Sequence, residues 1–171
     1  MGESSPRWLR LLPRWLVVGT ATLGPVGMKL PAPGTWGSLA GVLYTLVFFR
    51  RLGWEETLVW TILTSLVAVF FTGEAARRMG RTDPGEVILD EFVVMPLVFL
   101  WWHAGYPGRL PDWVALLAGF ALFRFFDILK PLGISKLQRL PGGWGIVADD
   151  FVAALAACGA LHLGAWLWAL R

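Results

Sequence analysis

The acidic side chains of this sequence gather at a few points, and these points adjoin apolar runs. Asp90 and Glu91 stand directly before one run, Asp127 follows another, and Asp149 and Asp150 precede the last. Carboxylates without histidine or cysteine partners are hard oxygen ligands, which suit Mg²⁺ better than Zn²⁺. If the fold brings these points together, the sequence predicts a magnesium site at the ends of several helices.

Helical spacing orders these carboxylates further. Glu86 and Asp90 are four residues apart and would share one face of a helix. Asp149 and Asp150 are adjacent and would point about 100° apart, so that one can bind an ion while the other orients a neighbouring group. We predict a catalytic metal site with a core of Asp90, Asp127 and Asp150, and with Glu86, Glu91 and Asp149 close beside it.

The same acids have a structural alternative, because acidic residues favour helix N-termini through capping and the helix dipole. This explains Asp90 and Glu91, or Asp149 and Asp150, when each pair is taken singly. It does not explain Asp127, which lies near a predicted helix C-terminus, where a negative charge is unfavourable. Three acidic groups meeting on one face would also repel each other unless a cation lay among them.

Two basic residues flank Asp127 on the same predicted helix. Arg124, Asp127 and Lys130 are spaced by three, so they line one helical face with alternating charge. One interpretation is a simple stripe of salt bridges. The other, which we favour, is that Arg124 and Lys130 act in catalysis by holding phosphate oxygens beside the metal.

Two glycine-rich turns lead into predicted helices, at residues 33–38 (PGTWGS) and 141–145 (PGGWG). Glycine lets the backbone approach a ligand closely, and N–H groups at the start of a helix bind anions. Each turn alone is also what an ordinary helix start requires. The candidate phosphate-binding residues in these turns are Thr35, Ser38, Gly142 and Gly143.

The composition indicates a membrane protein. Of the 171 residues, 56% are hydrophobic and 16% are charged, and the mean hydropathy is +0.60. Soluble domains average about 45–50% apolar and about 25% charged residues, so this chain lies on the membrane side of both averages. Eleven tryptophans agree, because tryptophan prefers the bilayer interface. A soluble helical bundle of unusually apolar composition is the alternative.

Five apolar runs follow each other along the chain, at residues 38–49, 57–73, 92–105, 113–126 and 151–170. Each is predicted to be helical, because a bilayer offers backbone groups few partners outside their own helix. The expected fold is all-α, a polytopic helical membrane bundle of about four to five apolar helices with an N-terminal interfacial or partly inserted helix. We divide the chain into a basic segment, residues 1–14, and a single membrane domain, residues 15–171.

Three connections, at residues 24–38, 73–91 and 127–150, fall on one side of the membrane if successive helices are antiparallel. Their lysines and arginines outnumber those of the opposite side, and the positive-inside rule then places them in the cytoplasm. The net charge of +3 suits an anionic surface or substrate, but the basic residues are scattered and form no dense nucleic-acid patch. His103 and His162 stand apart from the acids and are interpreted as structural.

Four motifs occur in order along the chain: PGTWGS (33–38), DPGEVILDE (83–91), FRFFDILKP (123–131) and PGGWGIVADD (141–150). Over about residues 15–170, the chain resembles the bacterial phosphatidylglycerophosphatase A family. The resemblance implies an all-helical, multi-pass protein of the bacterial inner membrane whose active site faces the cytoplasm. It also implies Mg²⁺-dependent hydrolysis of a phospholipid in the bilayer, phosphatidylglycerophosphate, to phosphatidylglycerol and phosphate. The charged positions of the family fall on Asp83, Glu86, Asp90, Glu91, Arg124, Asp127, Lys130, Asp149 and Asp150.

An ion carrier or a structural membrane subunit is the main alternative to an enzyme. A carrier would keep its carboxylates near the middle of the bilayer on broken helices, whereas here they stand at predicted helix ends. The pattern of the CDP-alcohol phosphotransferases, Asp-Gly…Ala-Arg…Gly…Asp…Asp, is absent from the sequence. The spacing leaves open whether a carboxylate attacks the phosphorus or activates water, and whether the protein forms a homo-oligomer.

Overall fold

The computed structural model describes residues 6–101 and 110–171 of the chain. His103 and the end of the third apolar run lie outside these described residues, so the interpretation of His103 stays a prediction. Within the two described ranges, every regular element is a helix. The all-α prediction is therefore confirmed.

Eight α-helices lie within this part of the chain. In order they are α1 (Arg7–Leu11), α2 (Arg14–Ala21), α3 (Pro25–Lys29), α4 (Pro33–Tyr44), α5 (Trp54–Met79), α6 (Leu89–Val98), α7 (Asp112–Leu129) and α8 (Gly143–Ala169). A π-helical turn, Thr45–Phe49, continues α4, and a 3₁₀ segment, Pro131–Arg139, connects α7 to α8. The short helices α1 and α2 precede the bundle, where an N-terminal helix was expected.

The ends of α5 follow from its terminal residues. The backbone N–H of Gly53 donates to Glu56 Oε2 at 2.9 Å, which closes the first turn. Gly80 follows the last turn with φ 70°, a left-handed conformation that glycine adopts without strain and that ends the helix. Arg77 and Arg78 lie in the last turn, where positive charge interacts favourably with the helix dipole. These residues specify a helix of 26 residues.

Two helices in the described part of the chain, α5 with 26 residues and α8 with 27, are long and apolar enough to cross a membrane. A span requires about 20 predominantly apolar residues. The third apolar run instead forms α6, a helix of only 10 residues. The two candidate spans agree with membrane association, while the larger number of apolar helices stays a prediction.

The helix α6 lies at the centre of the bundle, against α4, α5 and α8. Its side chains Val94, Met95 and Leu97 are fully buried. Helix α8 presents small side chains to the same core, and of these Ala154 and Ala157 are also fully buried. Small residues let helix backbones approach closely, so α6 can lie directly against α8.

Close backbone contacts place the three predicted connections at one end of the bundle. A Cβ atom on Gly73, near the end of α5, would lie 2.7 Å from the backbone nitrogen of Gly143 at the start of α8. A Cβ atom on Gly27, in α3, would overlap the backbone oxygen of Glu86, in the connection between α5 and α6. These contacts bring the three connections to one end of the bundle, and their common side of the membrane stays a prediction.

Candidate active site

Five of the predicted site carboxylates lie at this end of the bundle and are buried. Asp90 and Glu91 belong to the first turn of α6, and Asp127 lies near the end of α7. Asp149 and Asp150 lie in the first half of α8. Their exposed fractions range from 2% for Asp149 to 9% for Glu91. Acidic side chains are rarely this buried without partners, so their charges must be balanced within the site.

Arg124 connects three helices through a single nitrogen atom. Its Nη1 donates to Asp127 Oδ2 at 2.6 Å, to Glu91 Oε1 at 3.1 Å and to Ser38 Oγ at 3.2 Å. The Ser38 hydroxyl donates in turn to Gly34 O at 2.7 Å, and Ser38 is fully buried. The guanidinium is thereby fixed in orientation between α4, α6 and α7, as planar recognition of an anion requires.

The start of α4 leaves room for the Glu91 carboxylate because two of its residues are glycines. A Cβ atom on Gly37 would lie 2.7 Å from Glu91 Oε2, and a Cβ atom on Gly34 would overlap Oε1. Thr35 lies half-buried on the same turn. The close approach predicted for this turn is present, and the group that approaches is a carboxylate of the chain itself.

Lys130 links α7 to α8 from a strained backbone position. It follows α7 in a left-handed conformation, with φ 44° and ψ 50°, which costs a residue other than glycine roughly 1–2 kcal/mol. Its Nζ donates to Asp149 Oδ2 and lies 3.9 Å from Asp127 Oδ1. Such a strained conformation persists only where surrounding contacts maintain it, and the hydrogen bond from Lys130 to Asp149 is one of these contacts.

Several carboxylate oxygens in the site accept no hydrogen bond within the described part of the chain. Asp90 Oδ1, Glu91 Oε2 and Asp149 Oδ1 are buried and accept no hydrogen bond from the residues that the structure describes. An unsatisfied buried polar atom costs about 1–3 kcal/mol, and more when it is charged. Hard oxygen atoms with unused lone pairs fit a divalent cation such as Mg²⁺. The chemistry of these donors therefore suits the predicted ion.

These oxygens do not converge on a single point where an ion could bind in the described part of the chain. Among residues 6–101 and 110–171, no three aspartate, glutamate, histidine or cysteine side chains converge closely enough to hold an ion. Asp150 nevertheless interacts electrostatically with Asp90, Asp127, Glu91 and Asp149, so the charges of these buried carboxylates affect one another. Binding of an ion would require these carboxylates to draw together.

Burial and mutual repulsion change the protonation of the carboxylates on α6. Burial, followed by the charges of Glu91 and Asp83, raises the pKa of Asp90 well above its ordinary value. Burial and the charge of Asp127 raise the pKa of Glu91 to about 8, against the opposing effect of Arg124. At neutral pH Glu91 therefore favours the protonated form, which reduces the negative charge of the cluster, and the raised pKa of Asp90 acts in the same direction.

The pKa of Lys130 is also raised, but for an ammonium group a raised pKa favours the charged form. Burial lowers the pKa of Lys130, but the hydrogen bond to Asp149 and the charges of Asp149, Asp150 and Asp127 more than offset this and raise the pKa. Lys130 is therefore positively charged throughout the physiological range.

Two acids of the second motif lie at the rim of the site and not within the buried cluster. Glu86 accepts a hydrogen bond from Arg81 Nη2 at 2.8 Å, and this bond lowers the pKa of Glu86. Asp83 is exposed and accepts a hydrogen bond from Gln138 Nε2 at 3.4 Å. Five of the six predicted metal ligands are thus buried at one end of the bundle, Glu86 lies outside this group, and the metal-binding role of all six stays a prediction.

The second glycine-rich turn serves the contact between α5 and α8. Gly142 precedes α8 with φ 59°. Gly143 is buried, and a Cβ atom there would overlap the backbone of Val69. Helix packing explains glycine at position 143, while phosphate binding by Gly142 and Gly143 stays a prediction.

Glu74 is a fully buried acid that its sequence context did not single out. Arg77 Nε donates to its Oε2 at 2.8 Å, and Arg78 Nε donates to its Oε1 at 2.6 Å. Arg78 also donates to the backbone oxygens of Leu9 and Leu12, at 3.0 and 2.9 Å. The sequence pattern that could have identified this ion pair is an acid followed by arginines three and four residues later. This network is structural, since it fastens α1 to the end of α5.

Comparison with known proteins relates the chain to one family. The sequence model of the phosphatidylglycerophosphatase A family matches residues 19–165. The phosphatidylglycerophosphatase A of Haemophilus influenzae is 41% identical over 132 residues, which cover 77% of each chain. The phosphatidylglycerophosphatase A of Escherichia coli is 33% identical over 149 residues, 84% of this chain and 80% of the relative. A Bacteroides thetaiotaomicron protein with the provisional name phosphatidylinositol-3-phosphatase is 31% identical over 91% of this chain and 97% of its own.

No solved structure matches the chain. The family match at residues 19–165 includes all of α4, α6 and α7 and the first half of α8, which together carry the five buried carboxylates, Arg124 and Lys130. The two relatives that share the family's name are similar over most of their own length. The chain therefore belongs to the phosphatidylglycerophosphatase A family.

Proposed function

We propose that this protein hydrolyses the phosphate monoester of phosphatidylglycerophosphate and releases phosphatidylglycerol and inorganic phosphate. Two of its relatives bear the name of this activity. The observation that carries the proposal is the pair of cations, Arg124 and Lys130, which buried carboxylates hold in place at one end of the bundle. A phosphate monoester is close to a dianion at neutral pH, and fixed, partly buried cations bind such a group strongly.

Arg124 retains an unused donor that a phosphate could accept. Its Nε is buried and, in the described part of the chain, donates to no acceptor. A phosphoryl oxygen at this point would satisfy Nε while Nη1 remains bound to Asp127, Glu91 and Ser38. Ser38 would then act by orienting Arg124. The transition state of phosphoryl transfer is loose, with charge spread over the phosphoryl oxygens, so cations that are already oriented lower its energy.

We also propose that the acidic cluster holds Mg²⁺. Asp90, Asp127 and Asp150 would form the core of the site, and Glu91 and Asp149 would offer oxygens that accept no other hydrogen bond from the described residues. When bound, the ion would neutralise part of the charge on the phosphate. The side chains of this chain would hold and orient the phosphate, exclude water from its surroundings, and keep Lys130 protonated beside Asp149.

We further propose a multi-pass orientation in the bacterial inner membrane, with the site facing the cytoplasm. Helices α5 and α8 would cross the bilayer, and the ends that meet at Gly73 and Gly143 would lie on the cytoplasmic side. The positive-inside rule supports this orientation, because most basic residues of the described chain lie at the end of the bundle that carries the site. Those at the site end include Arg77, Arg78, Arg81, Lys136 and Arg139, whereas Arg50, Arg51 and Arg171 lie at the opposite end.

Phosphate release by the purified full-length protein tests the proposed activity. Phosphatidylglycerophosphate and phosphatidylinositol 3-phosphate would be compared, because one relative is provisionally named for action on the second lipid. We expect release from phosphatidylglycerophosphate that requires Mg²⁺ and stops when a chelator is added. An ion carrier would release phosphate from neither lipid. Faster release from the inositol lipid would change the substrate and leave the proposed chemistry in place.

Substitutions in the cluster test the assignment of the site. Asp90→Asn, Asp127→Asn and Asp150→Asn should each abolish phosphate release while the protein remains folded in detergent. Asp112→Asn is the matched control, because Asp112 lies at the opposite end of α7 in an exposed pair with Arg50, at 3.9 Å, and should retain full activity. Full activity in Asp127→Asn would contradict the assignment.

A further inference from the structure

An open groove lies between α2 and α3, apart from the acidic cluster. Its volume is about 530 Å³, and its lining is mainly apolar, with Trp15, Val18 and Met28 among its side chains. The charged side chain in the lining is that of Arg14. Trp15 and Met28 are 73% and 55% exposed, which is unusual for such large apolar side chains. We call this feature the α2–α3 groove.

The backbone around the α2–α3 groove is held in a defined shape. Leu23 and Gly24, between the two helices, have φ values of 50° and 66°. The Thr22 hydroxyl donates to Gly24 O at 3.0 Å, and Ile88 N donates to Ala21 O at 2.9 Å. A left-handed leucine is a strained conformation that the surrounding contacts must maintain. The groove is therefore formed by the fold itself and does not depend on a ligand.

The groove lies at the same end of the bundle as the acidic cluster. Arg78, in the last turn of α5, donates to backbone oxygens at the end of α1, and Val17 of α2 is fully buried. On the outer surface, Trp8 and Leu11 are 53% and 86% exposed. Helices with a buried face, exposed tryptophan and leucine, and arginines between them are typical of the membrane–water interface.

The charged side chain in the lining of the groove, that of Arg14, is positive. Helices α1, α2 and α3 carry Arg7, Arg10, Arg14 and Lys29 and no acidic residue. Glu86, whose backbone oxygen lies against Gly27, is paired with Arg81. Arg14 is exposed and forms no ion pair with any carboxylate of the described residues. An anion that also carries apolar chains would complement both the arginine and the lining.

We propose that the α2–α3 groove binds an anionic phospholipid, with the lipid phosphate on Arg14 and the acyl chains along Trp15, Val18 and Met28. This site is separate from the one that holds Arg124 and does not depend on phosphatase activity. A lipid bound there would fix the N-terminal helices on the bilayer surface, beside the end of the bundle that carries the acidic cluster.

A local fluorescent probe tests this binding on the full-length protein. Met28→Cys would be made together with Cys158→Ala, since the natural cysteine is buried, and labelled with an environment-sensitive dye. The labelled protein in detergent would be titrated with short-chain phosphatidylglycerol, short-chain phosphatidylcholine or glycerol 3-phosphate. We expect a saturable spectral shift with phosphatidylglycerol at concentrations at least fivefold below those needed for phosphatidylcholine, since one interfacial arginine contributes about a fivefold preference.

Variants of Arg14 show whether this side chain causes the preference. Arg14→Gln should weaken phosphatidylglycerol binding about fivefold, and Arg14→Lys should retain most of it. Arg51→Gln, an exposed arginine at the opposite end of the bundle, should change nothing. Circular dichroism would confirm that each variant is folded. Equal responses to both lipids, an unchanged response in Arg14→Gln, or an equal response to glycerol 3-phosphate would each overturn the proposal.

Discussion

Proton competition at Glu91 gives a quantitative prediction for metal binding. The proposed Mg²⁺ site uses Glu91 as a carboxylate, but burial and the charge of Asp127 raise the pKa of Glu91 to about 8. The carboxylate can bind the ion only after its proton has left. The affinity for Mg²⁺ should therefore increase with pH up to about 8 and level off above that value.

The size of this effect follows from the pKa. For a single group with a pKa of about 8, the apparent dissociation constant exceeds its limiting value by the factor 1 + 10^(8 − pH). This factor is about 100 at pH 6, about 11 at pH 7 and about 2 at pH 8. Binding should thus be roughly 50-fold weaker at pH 6 than at pH 8. The raised pKa of Asp90 acts in the same direction and makes the dependence steeper.

Calorimetric titration of the purified protein with Mg²⁺ measures this dependence. Titrations from pH 6 to pH 9, in buffers of different ionisation enthalpy, give both the affinity and the number of protons released. Near pH 7 we expect at least about one proton released for each ion bound. Glu91→Gln should bind more weakly and with a shallower pH dependence. Glu55→Gln, which changes an acid in the first turn of α5 at the opposite end, should behave as the unmodified protein.

Two outcomes would contradict different parts of this argument. A dissociation constant that changes less than about threefold between pH 6 and pH 8 would show that Glu91 is already ionised before the ion binds. Absence of binding at every pH would contradict the Mg²⁺ proposal itself, and the phosphatase proposal would then depend on Arg124 and Lys130 alone.

Unfolding of the purified protein in detergent tests three further expectations about the site. Gly37→Ala brings a Cβ atom to 2.7 Å from Glu91 Oε2. This substitution should lower the unfolding free energy by about 1–3 kcal/mol and reduce phosphate release. The control Gly159→Ala, where a Cβ atom would lie in open space, should do neither. Lys130→Met leaves the buried Asp149 carboxylate unpaired and should lower the unfolding free energy by about 3–5 kcal/mol. The double variant Lys130→Met/Asp149→Asn should recover most of this loss. Equal stability of the single and the double variant would contradict the expectation. In chelator, the unfolding free energy should fall as pH rises from about 4.5 to about 8, because the raised pKa of Glu91 stabilises the protonated fold; a rise would be the contrary result.

The charged face of α7 could be predicted because it follows from local rules. Helical spacing places Arg124, Asp127 and Lys130 on one face, and the structure joins them at 2.6 and 3.9 Å. A carboxylate near a helix C-terminus has no favourable interaction with the helix dipole, which made Asp127 a candidate for function. In an apolar chain, charged positions are few, so the convergence of their helix ends is a strong constraint on the fold.

The partners across the fold could not be predicted, because no local rule connects distant residues. Arg124 binds Glu91 and Ser38, which are 33 and 86 positions away in the sequence. The glycines of α4 gave a signal for a close approach, but the approaching group could equally have been a ligand. The run at residues 92–105 is too short for a straightforward span, so a short helix packed inside the bundle could be expected, but hydropathy alone does not give the residues at which such a helix begins and ends.

Charge balance ties the stability of this fold to its proposed chemistry. If all five buried carboxylates were ionised, the site would hold five negative charges. Arg124 and Lys130 supply two positive charges, so three negative charges would stay uncompensated in a buried site. Such an excess is strongly unfavourable. A proton on Glu91, whose pKa is about 8, cancels one of the three charges, and a second proton on Asp90, whose pKa is also raised, would cancel another. A Mg²⁺ ion that displaced both protons would cancel the same two charges. The protonated site and the metal-bound site then have equal net charge, so the ion could enter and leave without a change in the electrostatic balance that holds α4, α6, α7 and α8 together.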